Sequence, residues 1–288
     1  MNAFSRIISG TMTWGEWGSK FTVKEMELLL EKTVEIGINT FDHADIYGGY
    51  TTEAAFGTAF KNSSVRRESV FFISKCGIQM PCNKRPLPVK HYNYSEEHIR
   101  LSVENSLRHL NTEYLDVLLL HRPSPLMHAE TIAKVTQELK KEGKIRQLGV
   151  SNFTPSQMQL LQQEVRLEWN QLECSLTHEV GLFDGTLDHM KNHTIGAMAW
   201  SPLGSYFKEN GAKKERISKC MSSLCEKYDC TEDQLLLAWL LYHPSTIYPV
   251  VGTTSAKRLA LSKKALDITL EITDWFILLE ASMGEPLP

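Results

Sequence analysis

No stretch of this 288-residue chain stays apolar for longer than a strand, which excludes a membrane-spanning helix. Neither charge dominates. Lys and Arg number 31 against 34 Asp and Glu, a net charge of −3, so there is no basic footprint for nucleic acid or an anionic membrane surface. Residues 1–10 lack a cationic start followed by an apolar core, and no signal peptide is expected. Cysteine is sparse: the six present show no disulfide-framework spacing and predict free thiols in a reducing compartment. Cys220, Cys225 and Cys230 stand five apart, which suits neither a C-x-x-C knuckle nor one helical face, and no metal is expected. A G-x-G-x-x-G after the first strand is missing, as is a Walker A run. The expectation is a soluble, cytosolic globular protein.

What the chain does carry is a repeated theme, a strand-length apolar run followed by an amphipathic helix with a marked start. Runs at 6–12, 38–41, 70–74, 115–120, 145–150, 167–170, 194–200 and 246–251 read as strands. The run at 115–120 is apolar nearly throughout, as in a strand buried on both faces. Thr22 with Glu25 and Thr154 with Gln157 form capping boxes, the second with Pro155 at the first helical position. Ser95, Thr231 and Thr273 are further expected caps. Eight such units, without a linker or a shift of composition, predict an α/β protein of one domain over 1–288. The count favours a closed (β/α)8 barrel of the TIM type. An open doubly wound sheet is compatible with the periodicity alone, though it would more naturally carry the missing glycine fingerprint. The connection at 76–94, with three prolines and two tyrosines, is long enough to predict a lid or binding loop.

Polar residues gather where the predicted strands end. The run F-D-H-A-D-I-Y-G-G-Y at 41–50 crowds an acid, a histidine, a second acid and a phenol together. On a barrel, Asp42, Lys75 and His121 all fall at C-terminal strand ends, with Tyr47 on the loop above Asp42. That is the face where barrel enzymes hold their sites. A buried Lys–Asp pair keeps the ammonium charged, and that charge beside a phenol draws it toward the working range of a general acid. A histidine opposite can donate to an oxygen on which negative charge develops. Such a set suits protonation of a carbonyl oxygen, while the carbon needs a hydride that no side chain supplies. Singly, each residue has a plainer reading: Asp42 an N-cap, Lys75 a solvated lysine, His121 a satisfied core histidine. Convergence from three consecutive units is what argues for a site. His43 and Asp45 gain no role from the pattern and read as structural.

With these residues in F-D-H-A-D-I-Y-G, I-S-K-C and L-L-L-H-R, the chain resembles the aldo/keto reductases. Its I-R-Q-L-G-V-S-N-F (145–153), W-N-Q-L-E-C (169–174) and A-W-S-P-L-G (199–204) resemble that family's nicotinamide-binding segments, in its order and spacing. The resemblance runs from about Ser9 to the C-terminus and is strongest to the bacterial general oxidoreductases of the family. It implies that Tyr47 is the proton donor, that Lys75 lowers its pKa, that Asp42 pairs with Lys75, and that His121 orients the carbonyl. By the same resemblance Ser151, Asn152 and Gln171 would hold the nicotinamide carboxamide. Trp200 would stack on the ring where many members have Tyr. Ser201, Leu203 and Gly204 would approach the pyrophosphate, and Gly252, Thr253, Thr254 and Arg258 would hold the adenosine end. A helix start with an Arg fork nearby suits a 2′-phosphate, so NADPH is expected over NADH, although Gly252 stands where many members carry Lys. Trp14 falls where the family often lines its pocket with aromatics and is the candidate substrate contact. Tyr92 and Tyr94 are read as packing their loop.

The leading expectation is therefore an NADPH-dependent reductase of small aldehydes or ketones, without a metal, bound to neither nucleic acid nor membrane, and monomeric. Two other readings stand beside it. One is a nucleotide-binding regulatory subunit resembling the family's channel β-subunits, which an amphipathic extension before the first strand would favour. The other is a phosphate-binding barrel enzyme without nicotinamide, against which the S-N, N-Q and A-W-S-P-L-G segments argue. The substrate is not legible, because specificity would sit in the loops at 76–94 and 204–212 and in the C-terminal tail.

Overall fold

Successive side chains of a strand point to opposite faces, and here that alternation builds two core layers at once. In the computed structural model, which describes residues 3–83 and 85–287, β1 (Ile8–Gly10), β2 (Thr40–Asp42) and β3 (Phe71–Cys76) come first. A small hairpin of β4 (Ile78–Gln79) and β5 (His91–Tyr92) follows. The remaining strands are β6 (Leu115–Leu120), β7 (Ile145–Ser151), β8 (Trp169–Glu173), β9 (Gly196–Trp200) and β10 (Tyr248–Val251). All but the hairpin close into one parallel barrel in the order β1-β10-β9-β8-β7-β6-β3-β2. Odd positions of β3 and β6, Ile73, Val117 and Leu119, join Ile8, Met198 and Val250 in a cluster inside the barrel. Their even neighbours Phe72, Leu118 and Leu120 face the helices in the larger outer cluster. Each such fully buried aliphatic contributes roughly 1.5–3 kcal/mol of transfer free energy.

The N-terminal end of the barrel is closed by aromatics. Phe4 lies 4.5 Å from Phe71 and stacks on Trp169 at 5.2 Å, and Trp169 meets Tyr248 edge-on at 5.4 Å. The opposite end holds the polar residues. Helices seat against the outer layer from starts that their sequences mark. Thr22 and Glu25 form their capping box at the head of the helix Val23–Glu35, and Thr154 and Gln157 do so before Pro155–Gln162. Ser95 accepts from the backbone N–H of His98 at 3.2 Å, and the side chain of Gln234 reaches back to the N–H of Thr231 at 3.0 Å.

Three expectations are corrected. The first strand is shorter than 6–12, spanning Ile8–Gly10 only. The 76–94 segment is not all loop: Ile78 pairs with Tyr92 and Gln79 with His91, antiparallel. Thr273 is not a cap. The last helix, Ile272–Met283, starts two residues earlier than that cap would place it, with Glu271 as N-cap. Asp274 in its first turn accepts from Lys227 Nζ at 2.7 Å and from the Tyr228 hydroxyl at 2.5 Å, tying the helix to the preceding elements. All six cysteines are free. Among the described residues no helix is long and apolar enough to cross a membrane.

Candidate active site

The inward rows of the barrel change character at their C-terminal ends. Two residues beyond Ile73 comes Lys75, two beyond Leu119 comes His121, two beyond Trp169 comes Gln171, and two beyond Met198 comes Trp200. A period of two therefore lifts an apolar interior into a ring of polar and aromatic side chains. Lys75, only 1% exposed, is the centre of that ring. Its ammonium donates to Asp42 Oδ1 at 2.7 Å, to the His43 carbonyl at 2.6 Å and to the Tyr47 hydroxyl at 3.0 Å. All three of its hydrogens are used. Asp42 Oδ1 also accepts from Gln171 Nε2 at 2.9 Å, so the carboxylate is held from two sides.

Burial is the largest influence on Lys75 and would depress it, but Asp42 and Tyr47 together outweigh burial and hold the ammonium above the ordinary lysine value. For Tyr47 burial wins. It pushes the phenol above the ordinary tyrosine value, while Lys75 pulls the other way and Asp42 adds to the rise. The expected downward draw of Lys75 is present, then, as an opposing influence on a phenol whose net shift is upward. At neutral pH Tyr47 carries its proton. His121 is held well below the ordinary imidazole range, chiefly by burial and then by Lys75, Arg122 and Lys90. Its neutral ring meets that of Tyr47 edge-on at 6.2 Å, and its Nδ1 is buried without a partner among the described residues.

Beside this group, Ser151 ends β7 and Asn152 follows it. Asn152 takes a left-handed φ of 60°, donates from Nδ2 to Ser151 Oγ at 2.8 Å, and accepts the indole N–H of Trp200 at 2.9 Å. Three of the side chains expected to surround a nicotinamide, Ser151, Asn152 and Trp200, are thus joined in one chain of hydrogen bonds. Ser201 has φ 49° and opens a turn in which the Gly204 N–H bonds to its carbonyl at 2.8 Å. Leu203 is half-buried in that turn. Gly204 has φ 54°, and a Cβ there would lie 1.9 Å from Thr177 Oγ1, so only glycine fits. After β10, Gly252 is exposed and its carbonyl accepts from Thr13 Oγ1 at 2.9 Å. Thr254 accepts from Ser19 Oγ at 3.1 Å, and the Thr253 hydroxyl accepts from the Ser255 N–H at 3.3 Å. Arg258 is exposed in the first turn of the helix Ala256–Lys263.

Trp14 is not at the site. It is fully buried against Phe41 and Phe56, at 6.3 and 5.7 Å between rings, so its indole belongs to the outer core. Trp17, three residues on and partly exposed, lies 6.0 Å from the Tyr47 ring. Sequence reading passed over Trp17; the Gly15 and Gly18 that bracket it, marking a turn, were the available signal. Tyr94 packs its loop as expected: its hydroxyl donates to the Arg122 carbonyl at 2.6 Å and accepts the Arg122 N–H at 3.1 Å. Tyr92 is half-buried in the hairpin. His43 is wholly buried, with Nδ1 2.9 Å from Thr11 Oγ1, and burial, then Lys75 and Arg67, lower it to about 3. It stays neutral. Asp45 is half-buried, and its Oδ1 finds no partner among the described residues.

Residues 6–282 match the profile of the aldo/keto reductase family. The chain is similar to the uncharacterized oxidoreductase YcsN of Bacillus subtilis, at 40% identity over 99% of this chain and 96% of that protein. It is 36% identical to a 6-dehydroglucose reductase of Agrobacterium fabrum, over 98% of this chain and 95% of the relative. Among solved structures it is similar to a thermostable aldo-keto reductase determined with the inhibitor epalrestat. That similarity has a TM-score of 0.83 and 25% identity and covers 96% of this chain and 95% of that one. A parallel barrel ending in an Asp–Lys–Tyr–His cluster, and a profile match along nearly the whole chain, agree: the chain belongs to the aldo/keto reductase family of NAD(P)H-dependent oxidoreductases.

Proposed function

We propose that this protein reduces the carbonyl of an aldehyde or ketone to an alcohol with NADPH, and that Tyr47 delivers the proton. The observation that carries the reading is the Lys75 ammonium shared between Asp42 and the Tyr47 hydroxyl. Because Tyr47 accepts from Lys75, its own hydrogen is free to be donated outward. Lys75 stands ready to stabilise the phenolate that donation leaves. His121, kept neutral by burial and the surrounding cations, donates a hydrogen bond to the same carbonyl oxygen as charge grows on it. Asp42, held by Lys75 and Gln171, keeps the ammonium in place.

The residues present fit a nicotinamide dinucleotide. Side-chain amides at Asn152 and Gln171 and the Ser151 hydroxyl offer donors and acceptors to a carboxamide, and Trp200 offers an aromatic face. The Ser201–Leu203–Gly204 turn offers backbone to a pyrophosphate. Gly252, where an added Cβ would meet nothing within 4 Å, leaves open space beside Thr253, Thr254 and the start of the helix bearing Arg258, and a helix start favours an anion. When bound, reduced nicotinamide supplies the hydride that no side chain can.

The test is a titration with NADPH and NADH, followed by tryptophan fluorescence, on wild type and Arg258→Ala. Loss of one charged hydrogen-bond partner predicts about tenfold weaker NADPH binding with NADH binding little changed. Equal loss for both nucleotides would remove Arg258 from the 2′-phosphate, and no binding of either would end the reductase reading.

A further inference from the structure

Two loops flank the Tyr47–His121 side of the barrel mouth, and both are one-sided in charge. Residues 76–94 and 121–129 contain not one acidic residue, in a chain whose net charge is −3, and among the described residues they carry Arg85, Lys90 and Arg122. These loops leave β3 and β6. In the closed order those strands lie across the barrel from β9 and β10, where the pyrophosphate and adenosine contacts are proposed. Strand order thus sets the backbones of these loops apart from the proposed pyrophosphate and adenosine contacts.

Arg122 is the member of that rim nearest the chemistry. It follows His121 directly, and its backbone is pinned on both sides by the Tyr94 hydroxyl, at 2.6 and 3.1 Å. Its guanidinium reaches over the mouth to 5.7 Å from the Trp200 ring. It is half-buried and makes no ion pair among the described residues, unlike Arg67 and Arg100, which are matched to carboxylates. Glu16, in the loop that carries Trp17, is paired with Lys20 at 3.7 Å. Arg85 lies closer over its ring, that of Tyr50 at 3.9 Å, than Arg122 does over Trp200. A planar guanidinium with five donors and no hydrogen-bond acceptor among the described residues, held beside a reducing centre, is matched to a carboxylate or phosphate.

We propose that the natural substrate is a carbonyl compound bearing an anionic group, carboxylate or phosphate, and that Arg122 receives that group. The inference rests on the carbonyl-reductase reading above and adds the substrate class to it. Arg122 then determines specificity by holding the anion while Tyr47 and His121 address the carbonyl.

The experiment pairs each anionic aldehyde with a neutral one: succinic semialdehyde with butyraldehyde, and glyceraldehyde 3-phosphate with glyceraldehyde. Reduction by the NADPH-loaded enzyme is compared for wild type, Arg122→Gln and Arg122→Lys. Wild type should favour one anionic member over its neutral partner in kcat/KM. Arg122→Gln should reduce that ratio about tenfold or more, chiefly through KM, and Arg122→Lys should restore part of it. The arm that shows the preference identifies the anion. Calorimetric titration with succinate and with inorganic phosphate gives a second readout, and binding should weaken in Arg122→Gln. A wild type that prefers neutral aldehydes, an uncharged sugar aldehyde included, overturns the proposal. So does a Gln variant that keeps the ratio but loses NADPH affinity, which would give the guanidinium to the dinucleotide. If no aldehyde is reduced while succinate or phosphate still binds through Arg122, the reductase reading fails and the anion site stands.

Discussion

Lys75 and Glu53, neighbours in space through Ser74, show how differently two buried ionisable groups are handled. Lys75 stays charged because Asp42, the His43 carbonyl and Tyr47 take its three hydrogens. Glu53 accepts from Ser74 Oγ at 2.5 Å and Ser106 Oγ at 3.1 Å, and the nearby His109 Nδ1, at 3.9 Å, belongs to a ring that burial holds below the ordinary imidazole value. Burial therefore pushes its carboxyl up to about 7, with the two serines and Lys75 restraining the rise. In the unfolded chain the same group titrates at about 4.5. Between those values the folded state holds a proton that the unfolded state has released, so stability falls as pH rises through the window and levels off above it. At about 1.4 kcal/mol per pKa unit, the effect is on the order of 3 kcal/mol. His43, lowered to about 3, acts in the opposite sense: between pH 3 and 6.5 the unfolded chain binds the proton, and stability rises with pH. Glu53→Gln isolates the first contribution. The change in denaturant midpoint from pH 5 to pH 7.5 should be more positive in Glu53→Gln than in wild type, and an unchanged difference would refute the assignment.

At the level of elements, the helix Thr52–Asn62 and the helix Glu96–Leu110 approach so closely that a Cβ on Gly57 would lie 1.9 Å from the His109 carbonyl oxygen. That approach lets Glu53 on the first helix reach Ser106 on the second, and it seats both helices behind β3, which carries Lys75. Gly57→Ala raises helix propensity but must push the two backbones apart. Overpacking of this kind costs typically 1–3 kcal/mol, so a lower denaturation midpoint is expected. A variant as stable as wild type would mean that the interface yields at no cost. The β4–β5 hairpin is positioned in a similar way. The Tyr50 hydroxyl donates to the Ile78 carbonyl at 3.4 Å and accepts the Met80 N–H at 2.9 Å, tying the hairpin to the segment that carries Tyr47.

Over the whole molecule, what was legible in the sequence is what obeys a period or a cap. The eight strands, the capping boxes at Thr22 and Thr154, and Asp42, Lys75 and His121 at strand ends follow from local rules, and the structure brings those three together with Tyr47. What was not legible depends on distance in the chain. The hairpin pairs only two residues on each side, too short for a periodic signal. Trp14 and Trp17 are chemically alike, and only the fold decides that one fills the core while the other lies beside Tyr47. The bond from Gln171 to Asp42 spans 129 residues, and no spacing rule reaches that far. The net upward shift of Tyr47 was hidden for the same reason, since burial is a property of the assembled barrel rather than of the F-D-H-A-D-I-Y-G run.

The central claim, that Tyr47 donates the proton in an NADPH-driven reduction, is tested most directly by Tyr47→Phe. NADPH binding and aldehyde turnover should be measured on the same preparation. Phenylalanine keeps the ring and removes the transferable hydrogen. The account predicts NADPH affinity within about twofold of wild type and turnover lower by a factor of about 10²–10⁴. Turnover near the wild-type rate would contradict it, since the proton would then come from elsewhere.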